Sequence, residues 1–110
     1  MTGIKNNYAH FYWEKAVISR VLENWPIRSF LIYFVPHLKF VQSDHFLIGR
    51  CPMHPGHGGS YFTADLLNNR WRCRVCHSSG DVILLYSRLY LMSYVSAAQA
   101  LDKYNLKVGL

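Results

Sequence analysis

The residues from Cys51 to Cys76, CPMHPGHGGSYFTADLLNNRWRCRVC, decide how this chain folds. They begin with Cys51-Pro-Met-His54 and end with Cys73-Arg-Val-Cys76, and eighteen residues separate the two pairs. Zinc is held by four ligands in a tetrahedron, and two ligands separated by two residues can face one ion from a tight turn. All three cysteines of the chain fall in this pattern. The spacing predicts one structural Zn²⁺ held by Cys51, His54, Cys73 and Cys76.

Other interpretations of these residues are less consistent with the spacing. His57 would need a wider loop to replace His54, and His77 directly follows Cys76, where coordination would strain the turn. Without a metal, the pattern would be a pair of buried thiols and an unrelated cysteine. Catalytic zinc is not expected, because four protein ligands leave no open position for water. The H-x-E and P-C-x-x-C parts of the zinc deaminase signature are absent, as is the βαβ context of a redox C-x-x-C.

The residues around this motif predict strands on both sides of the first ligand pair. Alternating patterns and turn residues indicate four strands: Lys39–Ser43, Phe46–Arg50, Ser60–Ala64 and Arg70–Cys73. Asp44-His45 is the turn of the first hairpin, Cys51–Gly59 is a loop rich in Pro and Gly, and Cys76–Gly80 is a turn.

Helices are predicted before and after the strands. An apolar face indicates a helix over Tyr12–Trp25, and Ile27–Phe34 indicates a short buried helix after Pro26. Asp81 can cap a helix that runs to about Leu91, and Ser93 can cap a last helix of about Tyr94–Tyr104. The expected fold is α+β, a zinc-ribbon-type antiparallel sheet with flanking N- and C-terminal helices. At 110 residues it forms one domain, with residues 1–10 as a loosely held terminus.

Composition bounds the function. Hydrophobic residues make up 51% of the chain and charged residues 16%, which excludes an intrinsically disordered protein. The formal net charge of +6 favours an anionic partner, with nucleic acid ahead of a membrane surface. The longest apolar runs contain Arg28 and Arg88 and are too short for a transmembrane helix, and no signal peptide is visible. A cytoplasmic location is the expectation.

A second motif, Arg70-Trp71-Arg72-Cys73-Arg74, predicts a basic strand. Alternation places Arg70 and Arg72 on one face, about 6.7 Å apart, which is close to the phosphate spacing of an extended single strand. The alternative is a solvated strand face, and Trp71 is expected to be a core ring behind the zinc. Of Tyr61 and Phe62, one is expected to be exposed. The candidates for nucleic-acid contact are Lys39, Arg50, Tyr61, Arg70, Arg72 and Arg74.

The stretch from about Val17 to Leu106 resembles the zinc-binding domain of bacterial and phage DNA primases. The shared residues are Cys51-Pro-x-His54, Ser60-Tyr61, Trp71-x-Cys73-x-x-Cys76, Gly80-Asp81 and Ser96-x-x-x-Ala100-Leu101. The chain departs from the family pattern at Gly59, where Pro is usual, and at Ser79, where Gly is usual.

The resemblance implies a zinc-ribbon platform that binds the single-stranded DNA template and assists primer synthesis by a separate polymerase or helicase chain. By the same resemblance, Lys39, Arg50, Arg72 and Arg74 are template contacts. The chain is not expected to be an enzyme by itself, because its six acidic residues are scattered and nucleotidyl transfer needs clustered carboxylates. The alternative is a structural zinc domain that docks a protein of a replication complex through Ile83, Leu84, Tyr90 and Tyr94.

Overall fold

The computed structural model describes residues 14–54, 59 and 61–108. The predicted loose terminus at residues 1–10, the start of the first helix at Tyr12, His57 and Ser60 lie outside these residues. Within them, the chain forms four helices and a five-stranded antiparallel sheet, so the predicted α+β class is confirmed. None of the helices described combines the length and apolar character needed to cross a bilayer.

The helices flank the strands along the chain. Helix α1 covers residues 14–24 and α2 covers Ile27–Phe34. The sheet follows, with β1 at Phe40–Ser43, β2 at Phe46–Gly49, β3 at Phe62–Asp65, β4 at Arg70–Cys73 and β5 at Ser78–Gly80. Helices α3, at Val82–Leu89, and α4, at Tyr94–Val108, complete the fold. The strand order is β1-β2-β3-β4-β5, so each strand pairs with its neighbour in sequence.

One face of the sheet carries the core. Phe62 and Trp71 are buried on adjacent strands, and their rings stack with centroids 5.8 Å apart at an interplanar angle of 16°. The Trp71 indole N–H donates to the carbonyl of Asp81 at 2.7 Å, which ties β4 to the start of α3. The Trp25 indole N–H donates to the carbonyl of Leu101 at 3.0 Å, which ties the end of α1 to α4. The helices therefore cover this face, and the opposite face of the sheet is open.

Asp81 begins α3 as predicted. Its carboxylate accepts a hydrogen bond from the backbone N–H of Leu84 at 2.9 Å, which satisfies one of the free donors of the first turn. The other carboxylate oxygen of Asp81 accepts a hydrogen bond from the hydroxyl of Tyr94 at 2.6 Å. Ser93 caps α4 in the same way, accepting from the backbone N–H of Ser96 at 3.1 Å. These caps fix the residues at which α3 and α4 begin.

Several predictions from the sequence need correction. Residues Ser78–Gly80, predicted as part of a turn, form β5 and pair with β4. Helix α3 ends at Leu89, and α4 runs past Tyr104 to Val108. Of the four residues predicted to dock a protein, Ile83 is fully buried, and Leu84 and Tyr94 are partly buried. Tyr90 alone of the four is exposed.

Candidate metal centre and nucleic-acid interface

The four predicted metal ligands come together at one end of the sheet. One ligand atom each of Cys51, His54, Cys73 and Cys76 lies within 4.8 Å of the other three. Cys73 Sγ is 3.6 Å from His54 Nε2. A zinc tetrahedron with Zn–S near 2.3 Å and Zn–N near 2.0 Å requires an S···N separation of roughly 3.5 Å. The donor set and the separation of Cys73 from His54 therefore fit a single tetrahedral zinc ion.

Strand pairing positions both ligand pairs. Cys51 follows β2 by two residues, and the backbone N–H of His54 donates to the carbonyl of Cys51 at 3.2 Å, which closes the first turn. Cys73 is the last residue of β4 and lies opposite Phe62 of β3. Because β2 and β4 both pair with β3, the first ligand pair and Cys73 reach the same end of the sheet.

The electrostatics of the cluster favour a bound cation. Burial, together with smaller contributions from the nearby Cys73 and Cys76 sulfurs, raises the pKa of the Cys51 thiol to about 12. Burial also raises the pKa of Cys76, but hydrogen bonds involving Ser78, His54 and Cys73 outweigh it and lower that pKa to about 6. Three sulfurs this close repel one another as thiolates, and a divalent cation removes that repulsion.

The competing histidine that the structure describes is not in the cluster. His77 is exposed and adopts a left-handed conformation with φ of 54°, in the turn that joins β4 to β5. This conformation lets the chain reverse direction directly after Cys76 and pair again with β4. His77 is therefore a turn residue, and His54 is the histidine beside the three cysteines.

The basic motif alternates across the sheet. Arg70 and Arg72 are exposed on the open face, whereas Trp71 and Cys73 are buried on the core face. Trp71 is 1% exposed, so its ring is part of the core. Arg74, just beyond β4, is also exposed, and its backbone N–H donates to the carbonyl of Tyr61 at 3.0 Å.

Two adjoining grooves lie along this motif. The larger one has a volume of about 590 Å³ and is lined by Phe46, Thr63, Asp65, Arg70, Trp71, Arg72, Arg74 and Ser79. The second has a volume of about 520 Å³ and is lined by Arg72, Cys73, Arg74, His77, Ser78 and Ser79. Arg72 and Arg74 belong to both grooves, so the cationic side chains join them beside the metal cluster.

Within the part of the chain that the structure describes, neither of the two arginines that both grooves share, Arg72 and Arg74, has an ion-pair partner. The one carboxylate in the grooves, Asp65, accepts hydrogen bonds from the backbone N–H groups of Leu67 and Asn68 and from the Asn68 side-chain amide. The Asn68 amide is the main reason that the pKa of Asp65 lies below its usual value.

Lys39 and Arg50 lie on a different part of the open face. Both are exposed, and they line a separate groove of about 310 Å³ together with His37, Leu38, Val41, Ile48 and Gly49. Cross-strand pairing connects this groove to Arg72 through one row of residues, Val41, Ile48, Thr63 and Arg72. The six predicted contacts therefore do not share one groove.

Tyr61 is the exposed member of the aromatic pair. It is 44% exposed, whereas Phe62 is fully buried. Sequence reasoning missed Thr63, Ser78 and Ser79, which line the two arginine grooves beside the cations. The alternation of β3 could have indicated Thr63. Ser78 and Ser79 line the grooves because β5 pairs with β4, and the short Ser-Ser-Gly sequence does not indicate that strand.

Comparison with known proteins identifies the fold. No family model and no curated protein matches the sequence. The crystal structure of the Aquifex aeolicus primase, which comprises zinc-binding and RNA polymerase domains, matches with a TM-score of 0.66 and 21% sequence identity. The match covers 81% of this chain and 21% of that one, so this chain spans about a fifth of the primase chain. The chain has the α+β fold of a primase zinc-binding domain, and it carries a Cys-His-Cys-Cys cluster that can hold a metal ion.

Proposed function

We propose that this chain is a zinc-dependent module that binds single-stranded template DNA and assists primer synthesis in DNA replication. A separate polymerase or helicase chain would carry out the other steps. The observation that carries this proposal is the pair of arginines, Arg72 and Arg74, that are exposed and unpaired among the described residues and lie beside the metal cluster. The similarity to a primase zinc-binding domain supports it.

In this proposal zinc has a structural role. Cys51, His54, Cys73 and Cys76 would hold the ion, and its binding supplies folding energy to a small domain. Three thiolates and one Zn²⁺ change the formal net charge of +6 by only −1, so the basic surface persists in the loaded protein. The metal fixes the end of β4, and β4 presents Arg72 to the open face.

The open face offers different chemistry to phosphates and to bases. Arg72 and Arg74 can each bind phosphate oxygens, and the hydroxyls of Thr63 and Ser79 lie in the same groove. Tyr61 and Phe46 add aromatic surface, and unpaired bases can stack on such rings whereas bases within a duplex cannot. This combination favours a single strand over a duplex.

We propose further that the chain has no nucleotidyl-transfer activity of its own. That chemistry needs several carboxylates around two cations. Three of the carboxylates have a clear role elsewhere in the fold. Asp81 caps α3, Asp102 pairs with Arg20, and Asp65 holds the turn after β3. A catalytic cluster would have to come from the separate chain.

Fluorescence anisotropy on labelled single-stranded DNA, measured across a salt series with a duplex control, tests the DNA-binding proposal. The zinc-loaded protein is expected to prefer the single strand and to lose affinity steeply with salt. Arg72→Ala is expected to reduce the slope of log K against log salt by about 0.7, the value of one single-strand phosphate contact. Arg88→Ala, which removes an exposed charge from the last turn of α3, is the matched control and should bind like wild type.

Two results would contradict the DNA-binding proposal. One is the absence of salt-sensitive binding by the zinc-loaded protein at low salt. The other is an equal effect of Arg72→Ala and Arg88→Ala, because binding would then depend on net charge and not on the grooves. Circular dichroism of both variants shows that any loss of binding does not come from unfolding.

A second candidate function is the docking of a replication protein. Ile32, Tyr33, Tyr90 and Leu91 are exposed apolar residues, and ring contacts of 4.9 and 6.3 Å link Tyr33 and Tyr90 through Phe34. In a primer-synthesis reaction with the separate chain, docking predicts that Tyr90→Ser abolishes stimulation and leaves DNA binding intact. If template binding is the main role, Arg72→Ala should reduce both DNA binding and stimulation, and Tyr90→Ser should leave stimulation intact.

A further inference from the structure

One hydrogen bond connects the metal cluster to a side chain outside the four ligands. Ser78 Oγ lies 3.0 Å from Cys76 Sγ. A thiolate bound to a metal carries no proton, so in the loaded protein the serine hydroxyl is the donor. We propose that Ser78 is a positioning residue, which orients the Cys76 thiolate and slows the release of the metal. This inference rests on the proposed metal site and not on DNA binding.

The sheet fixes the position of Ser78. It is the first residue of β5, and its Cα partner across the ladder is Cys73, another ligand. The left-handed conformation of His77, with φ of 54°, reverses the chain between Cys76 and Ser78. The hydroxyl therefore approaches the sulfur from a strand that is already paired with the metal site, and its orientation does not depend on a flexible loop.

Cys76 is the cysteine that needs this support most. Cys51 is 3% exposed and Cys73 is fully buried, so packing restrains both of these ligands. Cys76 is exposed, in the turn beyond β4. Of the three cysteine ligands, Cys76 is therefore the one that packing restrains least. The Ser78 hydroxyl occupies one hydrogen-bonding direction of its sulfur.

Metal affinity measured by competition with a chromophoric zinc chelator tests the role of Ser78. Loss of a hydrogen bond between a metal-binding side chain and a residue outside the ligand set typically weakens metal binding by about 10–100-fold. Ser78→Ala is therefore expected to weaken zinc binding about tenfold and to speed its release by a similar factor. Ser78→Thr keeps the hydroxyl and should restore both values. Ser79→Ala is the matched control, because Ser79 is the next residue of β5 and faces the open side with Arg72.

The cobalt-loaded protein gives a signature that a general loss of stability would not produce. Removal of a hydrogen bond from a thiolate makes it a stronger electron donor, so the sulfur-to-cobalt charge-transfer band should move to lower energy in Ser78→Ala. It should stay unchanged in Ser79→Ala. If wild type binds zinc and cobalt while Ser78→Ala matches it in affinity, release rate and spectrum, the role of Ser78 is refuted and the metal site stands. If wild type binds neither metal, the proposed metal site itself fails.

Discussion

Arg20 and Asp102, which lie 82 residues apart in sequence, form a bidentate ion pair between α1 and α4. Arg20 Nε and Nη2 each donate to a different Asp102 carboxylate oxygen at 2.8 Å. The hydrogen bond from Arg20 is the main reason that the pKa of Asp102 lies below its usual value, although partial burial acts in the opposite direction. The first and last described helices are therefore linked by a group that titrates in acid.

This pair predicts a pH-dependent contribution to stability. A lowered pKa in the folded state stabilises the protein above the usual aspartate pKa of about 3.9, and the contribution is lost as pH falls through the folded value. Asp102→Asn should therefore lower the midpoint of thermal unfolding of the zinc-loaded protein slightly at pH 7, and by the same amount at about pH 5.5, because both values lie above the pKa of the unfolded aspartate. The comparison stays at pH values where the zinc content of both proteins shows that the metal is bound, because the metal-free domain is not expected to unfold cooperatively. A deficit that shrinks between these two pH values, or the absence of a deficit at pH 7, would contradict this explanation.

Removal of the metal should unfold the domain. Structural zinc contributes about 10–16 kcal/mol of binding free energy, compared with a total stability of about 5–15 kcal/mol for a domain of ordinary size. Cys73→Ser and treatment with a strong chelator are each expected to abolish cooperative thermal unfolding. The measurement combines the zinc content of the purified protein with circular dichroism. His77→Ala should keep one zinc per chain and a native spectrum, because His77 lies in the turn and outside the cluster.

The sequence made the metal cluster predictable because its signal is local. Each ligand pair lies within four residues, and strand alternation alone places Cys73 on the core face and Arg72 on the open face. Asp81 was predictable as a helix cap for the same reason, since its hydrogen bond to the N–H of Leu84 spans three residues. Short-range geometry of this kind needs no knowledge of the rest of the chain.

The features that were not predictable depend on distant contacts. Serine and glycine have low strand propensity, and β5 exists because it pairs with β4 across the metal turn. Ile83 lies on α3 among other apolar residues, and the sequence alone does not show which of them face the sheet. The separation of Lys39 and Arg50 from the arginine grooves likewise follows from sheet order, because Lys39 precedes β1, Arg50 follows β2, and β3 lies between these strands and β4.

Trp71 provides a test of core packing against DNA stacking. Its indole N–H donates to the carbonyl of Asp81 at 2.7 Å, and its ring stacks on Phe62. Trp71→Phe keeps an aromatic ring and removes this hydrogen bond, while the Asp81 carbonyl still accepts from the Leu85 N–H at 3.1 Å, so the lost hydrogen bond should lower the free energy of unfolding by about 0.5–1.5 kcal/mol. Chemical denaturation followed by circular dichroism measures this change. The affinity of the folded variant for single-stranded DNA should stay at the wild-type value, and a loss of affinity without a loss of stability would show that the ring contacts bases.

Leu91 provides a test of backbone strain near the C-terminal helices. It has a φ of 54° and a side chain that is 91% exposed, just after α3 ends. A residue with a Cβ atom loses roughly 1–2 kcal/mol in this conformation, and glycine avoids that cost but gains about 0.5–1 kcal/mol of entropy in the unfolded chain. Leu91→Gly is therefore expected to stabilise the protein by about 0.5–1 kcal/mol and to raise its melting temperature by a few degrees. Leu91→Ala keeps the Cβ atom and should leave the melting temperature unchanged, because the leucine side chain buries little surface. A lower melting temperature for Leu91→Gly than for Leu91→Ala would show that the left-handed conformation is not strained at this position.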